Sequence, residues 1–149
     1  MAATAICLNL RDVIPMTQPP EQPTPYELLG GAEAVQTLVD RFYDLMDTLP
    51  EAATIRAMHA RSLKSSREKL VLFLTGWLGG PPLYMEKHGH PRLRMRHAPF
   101  IIDEDARQAW MLCMRQALDE QVENDELRRF LDQALDRVAA HMRNTFQSE

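Results

Sequence analysis

Apolar residues in this chain recur at the 3.6-residue period of an α-helix in four separate runs, and that pattern leaves few folds open. Val35, Leu38, Val39, Phe42, Tyr43 and Met46 make the first stripe, and Leu70, Phe73, Leu74, Trp77 and Leu78 the second. Ala106, Trp110, Cys113, Met114 and Ala117 mark a third. The fourth helix, predicted from about Asp125 to Phe146, buries Leu127, Phe130, Leu131, Ala134, Val138, Ala139 and Met142. No stretch shows the period-two alternation of a half-buried strand. The chain is predicted to be all-α.

Breaks fall where helices must end. Gly30-Gly31 closes a first short turn, Leu49-Pro50 stops the first long helix, and Gly79-Gly80-Pro81-Pro82 stops the second. Ser65-Ser66-Arg67-Glu68 has the form of a capping box. Asp103-Glu104-Asp105 places acids at the positive end of the third helix. The segment between Glu51 and Leu63 is loosely patterned and holds His59, while Tyr84 is expected in a loop. Five of the ten prolines lie in residues 1–25, which read as a flexible extension; Ile6 to Leu10 there can dock locally. A single domain is expected over 26–149.

Composition narrows the function. A net charge of −4 gives no reason to expect nucleic acid as a partner, and no apolar run is long enough for a membrane span. Cys7 and Cys113 form neither a CxxC pair nor a disulfide framework. Together with the lack of a secretory leader pattern, this leads to the expectation of a cytoplasmic protein.

Chemistry concentrates in His88 to Phe100, which reads H-G-H-P-R-L-R-M-R-H-A-P-F. Pro91 suits a helix start, and Pro99 disfavours helical geometry at Ala98. About two helical turns are expected between them, ending at His97, with Leu93 one turn before it on the same face. His88, His90 and His97 make an unfamiliar zinc spacing, with no H-E-x-x-H in the chain. A lone histidine closing a short helix among apolar helices suits a haem iron better. Leu70, Phe73, Leu74 and Leu93 then wall the slot, and Arg96, Lys69 and Tyr84 meet the propionates. Arginines beside His97 also disfavour imidazolium, keeping the ring neutral as coordination requires. Spacing alone favours a structural histidine over a haem ligand, and periodicity does not settle the choice.

Specific runs add to this. F-Y at Phe42-Tyr43, G-W-L-G-G-P-P-L-Y from Gly76 to Tyr84, G-H-P-R-L-R-M-R-H-A-P-F from Gly89 and A-W at Ala109-Trp110 resemble the group II truncated haemoglobins, in order, over residues 26–146. The resemblance implies a shortened globin fold, helices packed two on two around haem b, with His97 as the proximal iron ligand. It also implies Tyr43 and Trp110 as distal hydrogen-bond donors, with His59 at the end of the inter-helix loop. Leu70 is implied to face the haem, and Ser66 stands where many globins carry a distal histidine.

Donors aimed at bound O₂ stabilise it, because the ligand gains partial negative charge on ferrous iron. Each bond is worth about 1–3 kcal/mol in a dry pocket, enough to slow release by about tenfold to a hundredfold. The expected partners are O₂, CO, NO or similar small ligands, plus an unidentified electron donor. NO dioxygenation or peroxidase-type turnover is one expected use; a non-enzymatic binding or sensing module for diatomic gas or sulfide is the alternative. A haem-free helical interaction domain is a third class.

Overall fold

The computed structural model describes residues 22–145. Nearly all of the predicted extension, including Ile6 to Leu10, lies outside the described residues, as does Phe146. No strand occurs among the described residues. The helices are α1 (Pro25–Leu29), α2 (Ala32–Thr48), a 3₁₀ turn (Pro50–Ala52), α3 (Ala53–Ala57), α4 (Lys64–Trp77), α5 (Leu83–His88), α6 (Leu93–His97), α7 (Glu104–Gln121) and α8 (Asp125–His141).

Thr24 caps α1, its hydroxyl accepting from the Glu27 N–H at 3.2 Å with Pro25 in the first turn. The first helix therefore starts at Pro25, one residue before Tyr26. Helix α2 packs on both α4 and α7, and α7 packs on α8, so two helix pairs face each other. Their shared core holds Leu38, Phe42 and Met46 of α2, Leu74 of α4, Met111 and Met114 of α7 and Leu131 of α8. Each of these large side chains contributes about 1.5–3 kcal/mol by leaving water. Cys113 lies in this core, where burial pushes its thiol up to about 11, so it stays protonated and inert. No helix of the described residues is long and apolar enough to cross a membrane.

Five local expectations need correction. No capping box forms at Ser65: α4 begins at Lys64, and Leu63 is its cap without any side-chain bond. Leu63 is buried, which fixes the helix start from the core side and moves Ser65 and Ser66 into the first turn. Helix α6 is a single turn from Leu93 rather than two turns from Pro91, because Arg92 is left-handed at φ 47°. Tyr84 is buried on α5 instead of lying in a loop. Phe130 is 51% exposed, since the buried face of α8 is centred on Leu127, Leu131 and Leu135, and α8 stops at His141.

An ionic cluster fastens α7 to α8. Glu104 accepts from Arg107 and Arg143 (2.8 Å to the latter), and Arg107 also pairs with Asp136. Hydrogen bonding from Arg107 leads the causes that hold the Glu104 carboxyl down at about 2. A depressed folded-state value means that Glu104 stabilises the fold fully above about pH 4.5 and loses that contribution as pH falls toward 2. Thermal melts of Glu104→Gln against the parent chain should show a constant deficit above pH 5 that closes by pH 2. A deficit that does not change with pH would refute this assignment.

Candidate functional site

Helix α4 carries one wall and connects the two ends of the site. At its start, Ser66 is the hydrogen-bond partner of Tyr43, which projects from α2. Tyr43 is 6% exposed, and desolvation is the main cause that pushes its phenol up to about 12 against smaller opposing effects of Arg67 and Ser66. It is therefore an O–H donor at neutral pH. Packing fixes the ring: Phe42 meets it edge-on at 4.9 Å, and His59 meets it edge-on at 5.9 Å. Phe42 also contacts Trp110 of α7 at 5.0 Å. Tyr43, His59, Phe42 and Trp110 thus form one aromatic cluster contributed by three parts of the chain.

Arg67 braces that cluster. Its guanidinium donates to the Asp40 carboxylate at 3.1 Å, to the Asp40 carbonyl at 3.0 Å and to Asp44 at 2.8 Å. Asp40 and Asp44 flank Tyr43 on α2, and the guanidinium carbon lies 5.8 Å from the Tyr43 ring centroid. The sequence reading missed this role. Its signal was a pair of aspartates one turn apart around the tyrosine, awaiting a cation.

The other end of α4 meets α5 and α6. Phe73 contacts Tyr84 edge-on at 6.4 Å, and Tyr84 contacts His88 at 4.9 Å. The Arg96 guanidinium lies 5.9 Å from the Tyr84 ring and donates to the Pro91 carbonyl at 2.8 Å. The fold brings Arg96 and Tyr84 together. Lys69 is exposed on α4, and neither it nor Arg96 has an ion-pair partner among the described residues. Leu70, Phe73, Leu93 and Trp110 are half-buried, whereas Leu74 is fully buried in the core.

His97 ends α6 and is half-buried. Its Nδ1 lies 2.6 Å from the Leu93 carbonyl. A carbonyl only accepts, so Nδ1 carries the proton and the neutral ring presents its lone pair at Nε2. That is the tautomer a metal ligand needs, held by the type of backbone bond that orients ligating histidines. His59 makes a similar bond, Nδ1 to the Ile55 carbonyl at 2.8 Å. Its neutral form therefore presents Nε2 as an acceptor beside Tyr43. His90 holds the turn before α6 by accepting from the Arg92 N–H at 3.1 Å. The three histidines of the 88–97 stretch do not converge, and no group of three potential metal-ligating residues gathers among those described.

A surface groove of about 690 Å³ between α2 and α4 is lined by charged side chains such as Asp40, Arg61 and Lys64. It takes in none of the predicted site residues. The set that does fit a haem is the imidazole of His97 with Nε2 free of the Leu93 bond, the apolar side chains of α4 and α6, and Arg96 beside Tyr84 at the edge.

Comparison with known proteins gives the family of the chain. Residues 24–144 match the family model described as bacterial-like globin. The chain is 41% identical over 125 residues to the group 2 truncated haemoglobin YjbI of Bacillus subtilis (strain 168), covering 84% of this chain and 92% of the relative. The group II 2-on-2 haemoglobin of Agrobacterium tumefaciens superposes with a TM-score of 0.83 at 48% identity, over 87% of this chain and all of the other. A structure described as the truncated oxygen-avid haemoglobin of Bacillus subtilis superposes with a TM-score of 0.75 at 41% identity, over 82% of this chain and all of the other. This chain belongs to the bacterial-like globins and, among them, to the group II truncated haemoglobins, a family of haem-based ligand binders.

Proposed function

We propose that the chain holds haem b through Nε2 of His97 and retains O₂ by hydrogen bonds from Tyr43 and Trp110, releasing it slowly enough for redox chemistry on the bound ligand. The observation that carries this reading is the Nδ1 bond of His97 to Leu93, which fixes the ligating tautomer. When bound, the haem supplies an iron site for diatomic ligands and for electron transfer to them.

The residues of the chain do the rest. Tyr43 stays a phenol through the physiological range, so its donor is always available. Ser66 and the Arg67 brace limit where that phenol can point. Trp110 has an indole N–H that can only donate, and its ring is held against Phe42. Neutral His59 accepts rather than donates at Nε2, so its proposed role is to complete the distal cluster and set the direction of the Tyr43 proton. Arg96 with Tyr84, and the exposed Lys69 of α4, are the proposed holders of the propionates. Leu70, Phe73 and Leu93 exclude water from the slot, and Leu74 supports the wall from the core.

Strong donors oppose ligand release and polarise an O–O bond, which favours NO dioxygenation or peroxidase-type turnover over transport. The oxygen-avid character of the Bacillus subtilis truncated haemoglobin supports the retention half of this reading. Steady-state assays of the holoprotein with a reductant and either NO or peroxide test the catalytic half. Turnover well above that of free haem is expected. Rates no better than free haem would leave the alternative, a binding or sensing module for diatomic gas or sulfide.

A further inference from the structure

We infer that Asn144 is a positioning residue for His97. This rests on the reading of His97 as the iron ligand and adds the device that aims it. Helix α6 is one turn long, buries no residue fully and has no extensive packing against another helix. Such a turn has no stability of its own, so something outside it must hold the histidine.

Asn144, three residues past α8, supplies that hold. Its Nδ2 donates to the carbonyl of His97 itself at 3.2 Å and to the carbonyl of Phe100 at 2.9 Å. Its Oδ1 accepts from the Ile102 N–H at 2.9 Å, and its own N–H donates to the Ile102 carbonyl at 2.9 Å. The orientation of the carboxamide is forced, because the first two partners only accept and the third only donates. The Phe100 N–H also donates to the His97 carbonyl, at 3.0 Å, so both lone pairs of that oxygen are engaged. One side chain therefore pins the peptide of His97, the turn after it and the entry to α7.

The backbone of His97 and its imidazole are fixed by separate bonds. Leu93 sets the ring tautomer, and Asn144 sets where the ring's own peptide sits. Loss of the second should leave ligation possible but let the iron–histidine bond tilt and vary.

Resonance Raman spectra of the ferrous holoprotein report the iron–histidine stretch, which depends on ring orientation. Asn144→Asp keeps an acceptor for Ile102 but cannot donate to either carbonyl, and Asn144→Ser shortens the side chain without adding charge. Both variants are expected to shift and broaden the stretch and to speed haem transfer to a scavenging acceptor by about tenfold. Leu131→Ala, in the core of α8, serves as the control: it lowers the melting temperature but leaves the stretch unmoved. A stretch that is unchanged in both Asn144 variants, yet absent from His97→Gly, would overturn the positioning role alone. A histidine stretch that persists in His97→Gly would overturn the ligand assignment beneath it.

Discussion

His97→Gly is expected to purify with its helices intact but without normal haem retention, and free imidazole is expected to restore a bound, histidine-like spectrum. The fold survives because α6 contributes no fully buried side chain. What is lost is the imidazole that ends α6, held through Nδ1 by the Leu93 carbonyl at 2.6 Å. Loss of a partner that merely orients a metal ligand costs about 10–100-fold in affinity, so loss of the ligand itself should exceed that. Imidazole can enter the space vacated by the side chain and find the same acceptor at Leu93. Absorption spectra with and without imidazole measure both halves. Unchanged haem content and spectra in the variant would refute the ligand assignment.

The second large effect is expected at the distal end. Tyr43→Phe removes one hydroxyl and keeps the ring that packs against Phe42 and His59. Stability should change little, because Ser66, the partner left behind, is only half-buried. Ligand retention should change a great deal. The phenol lies in a desolvated site where its proton is held up to about pH 12. A hydrogen bond from such a group to a partly charged ligand is worth about 1–3 kcal/mol, so O₂ dissociation should speed up by about tenfold to a hundredfold. Stopped-flow replacement of O₂ by CO measures the rate. An unaltered rate would transfer the main donor role to Trp110. Trp110→Phe then isolates the indole N–H, and the double variant shows whether the two donors act independently.

The long helices were legible because their burial is periodic and strong. Val35, Leu38, Val39, Phe42, Tyr43 and Met46 are all buried on α2, as their spacing requires, and Gly79 to Pro82 stops α4 as expected. His97 at the end of α6 was legible for a different reason: the proline at position 99 leaves the helix nowhere to go. Phe130 was misplaced because spacing gives a stripe but not its centre, and one residue of helix rotates a side chain by about 100°. The capping box failed because the buried Leu63 decides where α4 begins. Arg67 and Asn144 were invisible for a deeper reason. Their partners lie 27 and 47 residues away, at Asp40 and His97, so only the folded chain brings them together. Local chemistry thus marked the proposed ligand and donors, whereas the residues proposed to aim them are brought in by tertiary contacts.

The most direct test of the whole account is the absorption spectrum of the purified chain, oxidised and then reduced under CO. A Soret band that moves on reduction and moves again with CO is the predicted result, in the parent protein and not in His97→Gly without imidazole. A protein that stays colourless after haem is supplied would contradict the account and leave a helical module with no haem chemistry.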